Sequence, residues 1–201
     1  MAIQKMDKLL IVAFGDSLTV GYQSPTMLHP WYRETPYADF LSARMNKNGR
    51  PVNIIVRGIS GELTHEMVSR FHRDAIEHKP DYVIILGGTN DLGWGVPIDE
   101  IISNIGSMYE QAISSGIRPV GVTVPSIRDF DFLIPQRLEL NNKIKSECES
   151  LAISCVDLFT ALAEPGAFRL AEEYSNDGLH LTTEGYRLLA DLLYDEVFKN
   201  V

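Results

Sequence analysis

Five short stretches of the chain are apolar at consecutive positions and rich in Val and Ile: Lys8–Phe14, Val52–Arg57, Tyr82–Leu86, Pro119–Val124 and Ser154–Leu158. Successive side chains of a strand face opposite ways, so an unbroken apolar run predicts a strand buried on both faces, as in a parallel sheet. Between these runs lie amphipathic stretches that predict helices over about Pro36–Asn46, Leu63–His78, Ile98–Ser115, Pro135–Leu151, Leu158–Glu173 and Thr183–Lys199. The last is the clearest: Tyr186, Leu189, Leu193 and Val197 share one face, whereas Asp191, Asp195 and Lys199 lie elsewhere. Thr182 or Thr183 can cap it, and Glu184 suits its positive end. Strand and helix alternate. The expected architecture is therefore α/β, a three-layer, doubly wound parallel sheet of about five strands, with right-handed crossovers placing helices on both faces. In such sheets ligands bind beyond the carboxyl ends of the strands, so chemistry is to be sought in the segments that follow them.

A length of 201 residues suits one compact domain spanning 1–201, with a core that needs no staples. The formal net charge of -9 disfavours nucleic acid and anionic membrane surfaces as partners and says little about small neutral molecules. No stretch approaches the roughly 18 apolar residues of a membrane span. Met1–Lys8 lead into the first apolar run, which ends at Gly15 without a small-residue cleavage site. That start reads as a strand rather than a signal peptide, and the expected location is the cytoplasm. Cys148 and Cys155 have no second pair to complete a zinc site, so two reduced thiols are expected.

Four blocks carry reactive groups. Gly15-Asp16-Ser17-Leu18-Thr19 follows the first strand and puts a hydroxyl and its own N–H on the turn at the sheet edge. Arg57-Gly58-Ile59-Ser60-Gly61-Glu62 follows the second and offers a glycine N–H; Gly61 is preferred to Gly58 because it opens the following helix. Leu86-Gly87-Gly88-Thr89-Asn90-Asp91 follows the third and supplies an amide donor. Ser175-Asn176-Asp177-Gly178-Leu179-His180 precedes the last helix, and its three-residue spacing lets the carboxylate reach the Nδ1–H of the ring and leave Nε2 basic. In isolation each has a plain structural reading: a helix cap, a turn glycine, an Asx-turn, an Asp-Gly turn beside an ordinary histidine. Together they supply the groups acyl transfer needs: a nucleophile, a base with its orienting carboxylate, and oxyanion donors.

In order and spacing these blocks resemble the GDSL or SGNH hydrolases over most of the chain, from about Lys8 to Lys199. The resemblance implies a flavodoxin-like sheet of strand order 2-1-3-4-5. It implies Ser17 as nucleophile, His180 as base, Asp177 as its partner, and an oxyanion hole of the Ser17 N–H, the Gly61 N–H and the Asn90 side chain, with no cofactor and no metal. The expected activity is hydrolysis of small, uncharged carboxylic esters. Deacetylation of sugars, thioester or lysophospholipid hydrolysis and acyl transfer to an alcohol use the same chemistry. The segment Val20–Thr35 is long for the family.

Tyr22, Met27, Trp31, Tyr32 and Trp94 flank the motifs and either line an apolar substrate pocket or anchor loops. Asp16 and Asp91 either shape the site through hydrogen bonds or are ordinary turn carboxylates. His29, His65, His72 and His78 read as solvated; the seven residues from His65 to His72 are too long a spacing for one metal. An α/β-hydrolase is excluded because Thr19 stands where its motif needs glycine. An aspartyl phosphatase built on Asp16 lacks a second acid at Leu18. A flavodoxin-like binding module has no need of Asp177 and His180 at triad spacing.

Overall fold

The computed structural model describes residues 8–201. Five parallel strands form one sheet: β1 (Leu9–Gly15), β2 (Val52–Gly58), β3 (Tyr82–Leu86), β4 (Arg118–Val122) and β5 (Ser154–Val156). They lie in the order β2-β1-β3-β4-β5, the predicted 2-1-3-4-5. The register aligns Ile11 with Ile54 on one side and with Tyr82 on the other.

The alternation inside β1 shows why its run is apolar throughout. Ile11 and Ala13 enter one core, with Tyr37, Leu41 and Met45 of α2 (Tyr37–Lys47) and Tyr186, Leu189 and Leu193 of α8 (Thr183–Leu193). Val12 and Phe14 enter the other. There they meet α3 (Thr64–Asp74), α5 (Ile98–Ser114) and α6 (Ile134–Ser150) through residues such as Met67, Phe71, Ile105, Met108, Leu140 and Ile144. Helices on both faces complete three layers.

Thr182 caps α8 through its Oγ1, which accepts the Gly185 N–H at 3.3 Å, and the helix continues as a π turn over Tyr194–Phe198. The helix expected over Leu158–Glu173 is replaced by a single turn, α7 (Leu158–Ala161), an antiparallel bridge between Ala163 and Leu170, and a 3₁₀ turn at Glu172–Tyr174. Pro165 disfavours helix at Glu164, and Gly166 takes a φ of 75°, so the apolar spacing does not carry a helix through. The helix expected over Leu63–His78 ends at Asp74, and a 3₁₀ turn over Ile76–His78 follows. Two short helices were not predicted: α1 (Ser17–Val20), and α4 (Thr89–Trp94), which is set between Gly88 and Gly95, both left-handed.

Candidate active site

Ser17 is presented by the turn after β1. Gly15 has no room for a side chain, since a Cβ there would lie 2.1 Å from the Leu86 carbonyl oxygen and 2.4 Å from Thr19 Oγ1. Asp16 caps the one-turn helix α1 (Ser17–Val20), its Oδ1 accepting the Leu18 N–H at 2.9 Å. The cap and the serine-bearing turn are thus one device. Ser17 is the first helical residue, so its N–H has no acceptor within the helix.

From the far end of the chain comes the turn Ser175–Leu181. Gly178 has a φ of 80°, and a Cβ there would stand 2.5 Å from the Arg128 carbonyl oxygen. Asp177 Oδ1 accepts the N–H groups of Leu179 at 2.9 Å and His180 at 2.7 Å. Its Oδ2 lies 2.8 Å from His180 Nδ1. The other ring nitrogen, Nε2, stands 3.1 Å from Ser17 Oγ, although the two residues are 163 apart in sequence. Ser175 Oγ donates to the His180 carbonyl at 2.7 Å and steadies the same turn.

Burial alone would raise the Asp177 carboxyl. The hydrogen bonds from His180, Ser24 and the backbone N–H groups of Leu179 and His180 outweigh it and hold the group below the ordinary carboxylate range. Asp16 behaves oppositely. Complete burial pushes its carboxyl up to about 7, against the pull of the Leu18 N–H and His180, and the nearby Asp91 and Glu62 add to the rise. Its Oδ2 has no hydrogen-bond partner among the described residues.

The second and third blocks are tied to each other. Asn90 Nδ2 donates to the Glu62 carbonyl at 3.0 Å, beside Gly61, and that bond uses one of its two amide hydrogens. Gly61 is exposed with a φ of 81°. It does not open α3, which starts three residues later at Thr64. Gly58 is the residue demanded by close approach, for a Cβ there would lie 2.7 Å from the Val20 nitrogen and 2.8 Å from the Asp16 carbonyl oxygen. Asp91 is buried and accepts the Thr64 N–H at 3.1 Å and the Thr64 hydroxyl at 2.6 Å.

One pair escaped the reading of the sequence. Arg70 of α3 forms a buried ion pair with Glu62, with Nε donating to Oε1 at 2.6 Å. Its Nη2 donates to the carbonyls of Gly15 and Arg57 at 3.2 Å, and its guanidinium lies 4.1 Å from the Phe14 ring centroid. It thereby joins the ends of β1 and β2 to the Gly61 block. The signal was a cation inside the apolar stripe of Met67 and Phe71, with an acid just ahead of the helix.

The flanking aromatics divide. Tyr22 packs on the His180 ring, centroids 4.5 Å apart and planes at 59°, and Tyr32 stacks on Tyr22. Trp31 and Trp94 are 80% and 79% exposed. A cleft of about 540 Å³ runs beside Ser60, Gly61, Glu62 and Arg70, and one of about 420 Å³ lies between Gln23, Met27, Asn176 and Thr183. A hollow of about 600 Å³ opens at the opposite sheet edge, by Lys79, Pro80, Asp81 and Arg118, away from the four blocks. His29, His65 and His72 are exposed as expected; His78 is partly buried, its Nε2 3.3 Å from Arg57 Nη2. Cys148 and Cys155 are both free. Among the described residues no helix is long and apolar enough to cross a membrane.

An arylesterase of Vibrio mimicus is 34% identical over 119 residues, 59% of this chain and 55% of that protein. An uncharacterized lipoprotein, YqeF, of Bacillus subtilis (strain 168) is 31% identical over 121 residues, 56% of this chain and 47% of that protein. The chain thus spans about half the length of the curated relatives it matches. Its fold is similar to that of an acetyl xylan esterase from Geobacillus stearothermophilus, with a TM-score of 0.79 at 19% identity over 94% of each chain. The GDSL-like lipase/acylhydrolase family matches residues 13–188, a span that holds Ser17, Gly61, Asn90, Asp177 and His180. The chain belongs to that family.

Proposed function

We propose that this protein is a serine carboxylic ester hydrolase that works through an acyl-enzyme on Ser17. The observation that carries the reading is the continuous chain Ser17 Oγ, His180 Nε2, His180 Nδ1, Asp177 Oδ2, with separations of 3.1 Å and 2.8 Å. His180 takes the Ser17 proton as Oγ attacks the ester carbonyl. The Ser17 N–H, the Gly61 N–H and the free amide hydrogen of Asn90 receive the developing oxyanion. The alcohol leaves with the proton from His180, and water, activated by the same imidazole, cleaves the acyl-enzyme. Asp177, held below the ordinary carboxylate range, stays ionised and keeps the ring oriented.

The substrate in this reading is a small uncharged ester. The Vibrio mimicus arylesterase and the Geobacillus acetyl xylan esterase, each so named, make an aryl acetate and an acetylated sugar the first two substrates to compare. The two free thiols favour a reducing compartment, the cytoplasm, which cell fractionation checks. A serine-reactive phosphonate tests the mechanism. One adduct is expected by mass, mapped to Ser17 and lost in His180→Ala; labelling elsewhere, or labelling indifferent to His180, rules the mechanism out.

A further inference from the structure

The segment between α1 and α2 is built into the fold at its base. Gly21 turns the chain in the left-handed region, and the Thr35 N–H donates to its carbonyl at 2.8 Å. Tyr22 and Gln23 pair antiparallel with Glu34 and Arg33. From α8, the Tyr186 hydroxyl donates to the Tyr22 carbonyl at 2.7 Å. The buried Gln23 amide donates to Thr35 Oγ1 at 2.7 Å and Thr183 Oγ1 at 3.0 Å. These bonds fix where residue 24 points. Ser24 Oγ donates to Asp177 Oδ2, the same oxygen that meets His180 Nδ1.

The donors around Asp177 have different origins. The N–H groups of Leu179 and His180 hold the carboxylate to its own turn. Ser24 reaches it from 153 residues away, out of the segment that leaves α1 and hence Ser17. Local bonds can orient Asp177 within its turn, but they cannot set the distance from that turn to the serine.

We propose that Ser24 is a positioning residue: its hydroxyl ties the Asp177 carboxylate to the segment that follows Ser17 and so sets the spacing between serine and imidazole. This rests on the reading of Ser17 and His180 as nucleophile and base. Ser24 touches no reacting atom, and its effect passes through Asp177. Removing it therefore slows turnover without weakening substrate binding.

Steady-state hydrolysis of p-nitrophenyl acetate by a set of variants tests this. Ser24→Ala is expected to lower kcat about tenfold and leave KM within about twofold, the effect of one lost hydrogen bond to a charged group. Ser24→Thr, which keeps the hydroxyl, is expected to recover most of the loss. Glu34→Ala, an exposed side chain at the base of the same segment, is expected to match the unaltered protein. In an Asp177→Ala background, Ser24→Ala is expected to cost nothing further. An unchanged kcat in Ser24→Ala, or the same loss with and without Asp177, overturns the proposal. Ser17→Ala separates the two levels: full activity there sinks the esterase reading itself, whereas an inactive Ser17→Ala beside a fully active Ser24→Ala sinks the positioning role alone.

Discussion

At the floor of the candidate site Asp16, Ser17, Thr64 and Asp91 are 6% exposed or less; on its rim Met27, Leu28, Trp31 and Trp94 are 79% exposed or more. The floor is tied together by hydrogen bonds: Asp16 to Leu18, Asp91 to Thr64, Asn90 to Glu62, and Arg70 to the ends of two strands. The rim is held at its base by Gln23 and Tyr22 and ends in side chains that meet solvent. A buried, hydrogen-bonded frame keeps reacting groups in one geometry, while an exposed apolar edge adapts to what it meets. The floor is accordingly expected to set the rate of ester cleavage and the rim to set which ester is cleaved.

The widest separation of the two regions is in turnover. Ser17→Ala or His180→Ala is expected to lower kcat on the order of 10⁶-fold, and Asn90→Ala roughly 10²–10³-fold, with circular dichroism unchanged. Rim substitutions are expected to stay within one order of magnitude. A rim variant that matched Ser17→Ala would erase the distinction.

The frame should also show in stability. Arg70→Ala leaves Glu62 as an unpaired buried carboxylate and frees two strand-end carbonyls, so unfolding in urea is expected to become easier by about 3–5 kcal/mol. Leu28→Ala, fully on the rim, is expected to leave the midpoint unmoved.

The same contrast governs what the sequence reveals. The strands are legible because burial on both faces leaves an unbroken apolar run; Ile11, Val12, Ala13 and Phe14 enter two cores in alternation. The Asp177–His180 pair is legible because three residues of chain close it locally. The strand ends that Ser17, Gly61 and Asn90 follow are legible in the same runs, and they mark the edge where such sheets place ligands. The contacts of Arg70 with Gly15 and of Ser24 with Asp177 are not, since each joins residues that only the finished fold makes neighbours. The helix expected over Leu158–Glu173 fails for a local reason, with the apolar pattern weighed above the Pro165-Gly166 break.

A smaller effect separates Asp16 from the rest of the floor. Its folded carboxyl titrates at about 7, above the ordinary value of 3.8, so between those two values the folded state holds a proton that the unfolded chain has released. The stability this contributes is complete below about pH 4 and is lost as pH rises through about 7. Asp16→Asn keeps an oxygen for the Leu18 N–H and removes the titration. Its melting temperature is expected to fall less between pH 5 and pH 8 than that of the unaltered protein. Parallel curves would place the buried proton elsewhere.

The smallest effect is on the rim itself. Trp94 ends the short helix that carries Asn90, yet it is 79% exposed and carries none of the frame's bonds. Trp94→Ala is expected to leave the melting temperature unchanged and kcat/KM for p-nitrophenyl acetate within about twofold. With a butyrate ester the indole would cover part of the longer acyl chain. Losing that cover is expected to lower the butyrate-to-acetate ratio of kcat/KM about fourfold, equivalent to about 0.8 kcal/mol for one buried methylene. An unchanged ratio with an unchanged rate would show that Trp94 reads no part of the acyl chain, and would leave length selection to Tyr22, whose ring already rests on His180.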